Sequence, residues 1–140
     1  MENKGLKKIV PPLELCQQIP QGSFDDSALV WQCTMFLSSQ PPKKVWEVVP
    51  RNSFCCHGNP DAPAPTLQEI MEALPTIQHS SFGAEYFLVL IDYRNVHTGW
   101  GVGYGRLQDG TFKGLNGAAK GDANPSTAAL RLWLKMEVGQ

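Results

Sequence analysis

The sequence lacks a block of charge of either sign. It carries 12 basic and 13 acidic residues, and the two signs are mixed along the chain, so the net charge is only −1. Proteins that bind nucleic acid usually present a basic face or stripe. The balanced charge therefore argues against nucleic acid as a partner.

Long apolar runs are also missing. No stretch approaches the roughly 20 apolar residues that span a bilayer. The basic N-terminus is followed only by Ile9 and Val10 before two prolines, which does not match a signal peptide. We expect no membrane association and a cytoplasmic location.

Cysteine is scarce, and without a secretion signal its even count is weak support for disulfides. The four residues, which we expect to be free thiols, are Cys16, Cys33, Cys55 and Cys56. Three consecutive potential ligands, Cys55, Cys56 and His57, do not match the spaced pairs that bind zinc. A metal site or a Cys–His enzyme at these residues, with His79 or His97 as a further partner, is kept as a lower-ranked alternative.

The common catalytic and nucleotide-binding motifs do not occur. The chain has no G-x-S-x-G, H-E-x-x-H, Walker or EF-hand pattern. Its alternating glycines at residues 99–105 precede a hairpin turn at Asp109-Gly110, whereas a phosphate loop leads from a strand into a helix. We therefore predict no enzyme, no cofactor and no metal.

The first part of the chain, residues 1–60, predicts a short helix and a β-hairpin. Residues 13–19 are typical of a helix that Pro20 ends, and residues 28–37 and 44–49 are rich in strand-forming side chains. The proline-rich residues 51–65 predict an irregular connector. If the chain has a boundary, it is expected there, with the core domain over residues 61–140.

The second part predicts an α+β domain in the order α-β-β-β-α. Thr66 and Glu69 match a capping box, and Pro75 ends the helix that follows. Three strands over residues 85–93, 99–106 and 111–115 form an antiparallel meander. We expect the first of them to be buried on both faces.

The final helix is apolar around most of its circumference. Asn124 is a candidate N-cap and Pro125 suits the first helical position. Such a helix requires cover on more than one side. The stripe of residues 67–74, the strand of residues 87–91 and the glycine-rich strand are predicted to supply it.

A binding surface is predicted on the strand with the alternating glycines. Because strand side chains alternate, Trp100, Tyr104 and Arg106 share the face opposite the glycines. Aromatic residues with an arginine are typical of protein-binding hot spots, although a half-buried sheet face gives the same pattern. A patch around Trp31 and Trp46 is the alternative surface.

The order α-β-β-β-α also matches the double-stranded RNA-binding domain, so a nucleic-acid-binding module is kept as an alternative function. That fold uses basic residues to contact phosphates. Residues 66–140 carry six basic and seven acidic residues, and the final helix begins without a lysine cluster. Topology permits RNA binding, and charge disfavours it.

Two segments carry a resemblance to a known group of proteins. They are A-P-T-L-Q-E-I-M-E-A-L-P at residues 64–75 and A-A-L-R-L-W-L at residues 128–134. Together they resemble small, functionally uncharacterised proteins of bacteriophages and prophages, and residues 11–16 and 27–31 resemble an N-terminal part of some of them. Phage α-β-α sandwich domains are a looser match.

The resemblance implies an origin and a fold, and it assigns no catalytic residue. We expect a non-enzymatic phage or prophage accessory protein that binds a partner protein in the bacterial cytoplasm. A homo-oligomer is left open.

Overall fold

The computed structural model describes residues 4–36, 38, 40–53, 62–79, 82–92, 94, 99–108, 111–114, 119–122 and 124–138. Its contacts divide the chain into two compact units, Met1–Glu69 and Ile70–Gln140. Helices and antiparallel sheets occur in both units, so the predicted α+β class is confirmed. No helix within the described ranges is long and apolar enough to cross a membrane.

The first unit contains two short helices, a 3-10 turn and a three-stranded antiparallel sheet. Its elements are α1 (Lys4–Lys7), α2 (Leu13–Cys16), β1 (Leu29–Phe36), β2 (Lys43–Pro50), the turn Arg51–Ser53 and β3 (Ala62–Pro63). The predicted hairpin is present, because β1 and β2 pair along their full length from Leu29–Pro50 to Phe36–Lys43. The sheet order is β2-β1-β3, so β1, with the buried Val30 and Trp31, is its central strand.

The short strand β3 lies within the segment predicted to be an irregular connector. Its residues Ala62 and Pro63 are the antiparallel partners of Trp31 and Val30. Ala64 extends the pairing through its N–H, which donates to the carbonyl of Leu29 at 3.0 Å. Proline has no N–H to donate, so Pro63 could not complete the hydrogen bonding of a central strand. It is accommodated here because β3 is an edge strand.

The contacts place the division of the chain later than the predicted boundary at residue 60. They divide it between Glu69 and Ile70. The physical reason is that β3 pairs with β1, and that a Glu69 carboxylate oxygen accepts a hydrogen bond from the Ala28 N–H at 3.0 Å. Both contacts tie residues beyond 60 to the first sheet.

Helix α3 (Leu67–Ala73) begins with the predicted capping box. The Thr66 hydroxyl accepts from the Glu69 N–H at 3.3 Å, and the Glu69 carboxylate accepts from the Thr66 N–H at 2.8 Å. Ile70 and Leu74, which face inward one turn apart, are buried. The helix ends before Pro75, as predicted.

The second unit contains a five-stranded antiparallel sheet and the final helix. Its elements are β4 (Ile77–His79), β5 (Glu85–Asp92), β6 (Trp100–Gln108), β7 (Thr111–Gly114), β8 (Ala119–Asp122) and α4 (Pro125–Val138). The strand order is β4-β5-β6-β7, and β8 also pairs with β6. The predicted meander corresponds to β5, β6 and β7, to which the structure adds the short strands β4 and β8.

Helix α4 begins at the predicted cap. The Asn124 side-chain oxygen accepts hydrogen bonds from the Ser126 N–H at 2.9 Å and from the Ser126 hydroxyl at 2.6 Å. Five consecutive residues, Ser126–Leu130, are buried, whereas Arg131 and Lys135 are exposed. Since five successive residues point in all directions around a helix, α4 is covered on more than one side, as its composition predicts.

The cover of α4 differs from the prediction. Helix α4 packs mainly on β6 and β8, and β5, which was expected to be buried on both faces, has no buried residue. That expectation was wrong because the faces of a strand are buried by what packs on the sheet, and α4 packs mainly on β6 and β8. Strand β5 also lies next to the edge of the sheet, where only the three-residue β4 follows it.

Candidate functional site

Strand β6 brings the predicted binding residues Trp100, Tyr104 and Arg106 to one face. Their antiparallel partners on β5 include Asp92, opposite Trp100, and Leu88, opposite Tyr104. Because side chains alternate along a strand, the three residues share this face with the fully buried Val102 and lie opposite the glycines. The structure thus supports the predicted alignment of the three side chains.

Tyr104 is a core residue of the second unit. Only 5% of its surface is exposed, and its hydroxyl donates a hydrogen bond to the carbonyl of Pro75 at 2.6 Å. Burial raises the pKa of Tyr104. Because its ring is covered and its proton is used within the unit, Tyr104 positions the strand and has little surface to offer a partner.

Trp100 is half-buried, and one face of its ring is covered by an arginine. The Arg94 guanidinium lies 4.8 Å from the ring centroid, a typical cation–π distance. Asp92 holds this guanidinium through two side-chain hydrogen bonds of 2.8 and 2.7 Å. The Asp92–Arg94–Trp100 cluster, and not Tyr104, forms the solvent-facing end of this sheet face.

The ion pair in this cluster lowers the pKa of Asp92, which is ionised at neutral pH with or without it. Hydrogen bonds from the Arg94 side chain, and then from its backbone N–H, lower the pKa of Asp92 to about 2. Both groups are solvent-exposed, so the pair contributes little to stability. Its main effect is to orient Arg94 over the Trp100 ring.

The exposed apolar surface of the second unit lies elsewhere, on the hairpin of β4 and β5. Among the described residues, five large hydrophobic side chains are exposed, and four of them belong to this hairpin: Ile77 (41%), Phe82 (97%), Phe87 (48%) and Leu90 (37%). The fifth is Ile9 (48%). We call the four residues the hairpin patch.

The hairpin patch adjoins an open strand edge. Ile77 is the direct antiparallel partner of Phe87, so their side chains lie on one face of the sheet. Strand β4 pairs only with Glu85–Phe87, and the Leu88 N–H still reaches the carbonyl of Thr76 at 3.0 Å. Beyond Leu88, no strand in the described part of the chain pairs with this side of β5.

The hairpin patch is not apparent from the sequence, because the run of apolar residues in β5 predicts a buried strand. The available signal is the nine residues between Pro75 and β5, which leave room for a turn and only a short neighbouring strand. The alternative patch does not form either, since Trp31 is only 6% exposed and Trp46 is half-buried.

The first unit contains a cavity of about 510 Å³ whose wall includes Cys16. Burial, offset in part by the nearby indole N–H of Trp31, raises the pKa of the Cys16 thiol to about 12. The thiol is therefore protonated at neutral pH and is a poor nucleophile. Its sulfur lies 3.5 Å from the carbonyl of Pro11, to which it donates.

The alternative site of Cys55, Cys56 and His57 lies outside the described residues, as does His97. Neither Cys16 nor Cys33 forms a disulfide bond, in agreement with the expectation for these two cysteines. The described residues contain no group of three His, Cys, Asp or Glu side chains that could hold a metal ion.

No protein-family model matches this chain, and neither the curated proteins nor the solved structures give a significant match. The hairpin patch and the cavity of the first unit are therefore the features from which a function can be inferred.

Proposed function

We propose that this protein binds a partner protein through the hairpin patch, as a non-enzymatic accessory protein of a phage or prophage acting in the bacterial cytoplasm. The phage origin rests on the sequence resemblance alone. The binding role is supported by one structural observation, the concentration of four exposed large apolar side chains on a single hairpin.

Exposed apolar side chains that lie together, as Ile77 and Phe87 do on one face of the sheet, are characteristic of interaction surfaces. Fully burying one such side chain contributes about 1.5–3 kcal/mol, whereas association costs at least about 4 kcal/mol in lost translational and rotational freedom. Because Ile77, Phe87 and Leu90 are already more than half covered, their further burial supplies part of the binding free energy, and backbone pairing at the strand edge would have to supply the rest. Isolated exposed side chains, such as Ile9, need no functional explanation.

The open edge of β5 favours a partner that contributes an extended strand. Such a strand would pair with the backbone beyond Leu88, and its specificity would come from side chains that contact alternate residues of β5. Leu90 is presented on one face of the sheet and Phe87 on the other. An edge with apolar side chains on both faces suits strand addition better than it suits a flat contact.

A site-specific crosslinking experiment tests the location of the surface. A photoreactive phenylalanine analogue is placed at Phe87 and, as a matched control, at Ile9, which is equally exposed. In lysogenic bacterial cells, we expect one defined protein adduct from position 87 and none from position 9. Equal labelling at both positions, or none at either, contradicts the proposal.

The partner that the adduct identifies is then purified for a binding measurement. Because the variant Ile77→Ser/Phe87→Ser removes two large apolar contacts, we expect it to weaken binding at least about tenfold, equivalent to 1.4 kcal/mol. Ile9→Ser is expected to bind like the unmodified protein. A double variant that folds and binds unchanged contradicts the role of the hairpin patch.

A further inference from the structure

We propose that the cavity of the first unit is a binding site for a small organic monoanion, a carboxylate attached to an apolar body. The cavity lies between residues 16–25, Arg51 and β3. Its volume of about 510 Å³ falls within the range of small-molecule sites. It is separate from the hairpin patch and does not depend on the protein-binding proposal.

Arg51 is the group that would recognise the carboxylate. Its Nε donates to the carbonyl of Ser27 at 2.7 Å, and its Nη2 donates to the Ser27 hydroxyl at 3.0 Å. The Ser27 hydroxyl in turn donates to the carbonyl of Leu29 at 2.8 Å. These contacts fix the guanidinium at the cavity wall before any ligand binds, which lowers the entropic cost of binding.

The charge of Arg51 is not neutralised by these contacts, since both Ser27 acceptors are neutral. No carboxylate of the described chain forms an ion pair with Arg51, although the residue is half-buried. A guanidinium has five N–H donors, and Ser27 accepts from two. The remaining N–H groups, on Nη1 and the second hydrogen of Nη2, lie along the outer edge of the guanidinium. They can donate two parallel hydrogen bonds to the two oxygens of a carboxylate.

Asp25, which also lines the cavity, restricts the class of anion. A second negative charge on the ligand would be repelled by Asp25, which therefore favours a monocarboxylate over a phosphate dianion. The same carboxylate can accept a hydrogen bond from an amide or amine N–H of the ligand. Ile19, Pro20 and Pro63 supply apolar wall for the rest of the molecule.

The turn that carries part of the wall has an unusual backbone. Gly22 has a φ of 95°, and Phe24, which is not glycine, has a φ of 58°. Such conformations are disfavoured for residues with a Cβ, and they persist where the surrounding structure enforces them. Phe24, the residue with the disfavoured backbone, lies between the wall residues Ser23 and Asp25.

Hippurate is a suitable probe, because it combines one carboxylate, one amide and one phenyl ring. The uncharged hippuramide is its matched control, and inorganic phosphate tests the alternative anion. Binding to the full chain is followed by amide chemical shifts in a two-dimensional ¹H–¹⁵N spectrum. We expect hippurate to shift the amides of Gly22, Ser23 and Ala62 saturably, and hippuramide to bind at least about tenfold more weakly.

Two substitutions with opposite expected effects test the roles of the charges. Arg51→Gln is expected to weaken hippurate binding about tenfold or more, and Asp25→Asn to strengthen it about threefold, because a like charge is removed. Arg131→Gln, at an exposed arginine of the second unit, is the control and should leave the affinity unchanged. Asp25 is exposed, so its variant remains informative even if Arg51→Gln fails to fold.

Three results would overturn the proposal. The first is the absence of saturable shifts with hippurate. The second is equal affinity for hippurate and hippuramide, which would show that Arg51 does not recognise the charge. The third is tighter binding of phosphate than of hippurate, which would assign the cavity to a different class of anion.

Discussion

At the scale of single residues, the structure assigns different roles to side chains that look alike in the sequence. Trp100 and Tyr104 lie on the same face of β6 with Val102 between them, and both are predicted from the sequence to bind a partner. Only Trp100 retains an accessible position, and Arg94 covers one face of its ring. The predicted contact by Trp100, Tyr104 and Arg106 stays a prediction, with Tyr104 its least accessible member.

Cys16 provides a prediction about stability and pH. The unfolded chain releases this thiol proton near pH 9, whereas the folded unit keeps it until about pH 12. Between these values the unfolded state binds fewer protons, so the free energy of unfolding falls as the pH rises, by at most about 1.4 kcal/mol per pH unit. Urea unfolding at pH 8, 9 and 10 measures this slope.

The control for this effect is Cys16→Ala, because other groups also titrate in the alkaline range. The variant should be less stable at pH 7, since a small cavity replaces a fully buried sulfur. Its stability should then fall less steeply above pH 9 than that of the unmodified chain. Parallel slopes in the two proteins would show that the thiol is accessible to solvent.

At the scale of elements, Glu69 joins two parts of the first unit. One carboxylate oxygen completes the capping box of α3 with the Thr66 N–H, and the other accepts from the Ala28 N–H, next to β1. The helix start and the strand start are therefore fixed by one side chain. The capping box was predictable because it is local, and the contact with Ala28 was not, because it joins residues 41 positions apart.

We expect Glu69→Ala to destabilise the protein by about 1–3 kcal/mol. It leaves the Thr66 and Ala28 N–H groups without their acceptor, and each lost hydrogen bond costs about 0.5–1.5 kcal/mol. Chemical denaturation measures the loss. Glu137→Ala, at an exposed acidic residue near the C-terminus of α4, should change the stability by less than about 0.5 kcal/mol. Equal effects of the two substitutions would contradict the bridging role.

At the scale of the whole molecule, four of the five exposed large apolar side chains among the described residues belong to one hairpin. Glycine at residues 101, 103 and 105 leaves one face of β6 without side chains, yet these glycines are buried. The exposed groups lie instead on β5 and β4, at the edge of the same sheet. A partner protein is therefore expected to contact the edge of the sheet formed by β4 and β5.

The hairpin patch predicts how the folded protein interacts with a hydrophobic fluorescent dye such as anilinonaphthalene sulfonate. Ile77→Ser/Phe87→Ser should reduce the dye fluorescence of the folded protein, because these two side chains are among the five large apolar ones that are exposed in the described part of the chain. Ile9→Ser, in the first unit, is expected to have a smaller effect. An unchanged signal in the double variant would place the accessible apolar surface elsewhere.

Local patterns alone predicted most elements of this fold. The caps at Thr66 and Asn124, the helix stop at Pro75 and the hairpin of β1 and β2 follow from interactions between residues that are close along the chain. The strands β3, β4 and β8 were not predicted, because two to four residues carry too weak a pattern. Each of them forms only because a longer strand offers it an edge.

The sequence by itself determined the α+β class, both ends of α3, the start of α4, and the alignment of Trp100, Tyr104 and Arg106 on one strand face. These features depend on helix and strand periodicity and on local hydrogen bonds. Only the tertiary structure decided which apolar residues are buried, since burial depends on what packs against a strand. An apolar strand gives the same pattern at the centre of a sheet as near its edge, so the exposure of Phe87 and the cavity at Arg51 appear only once the chain is folded.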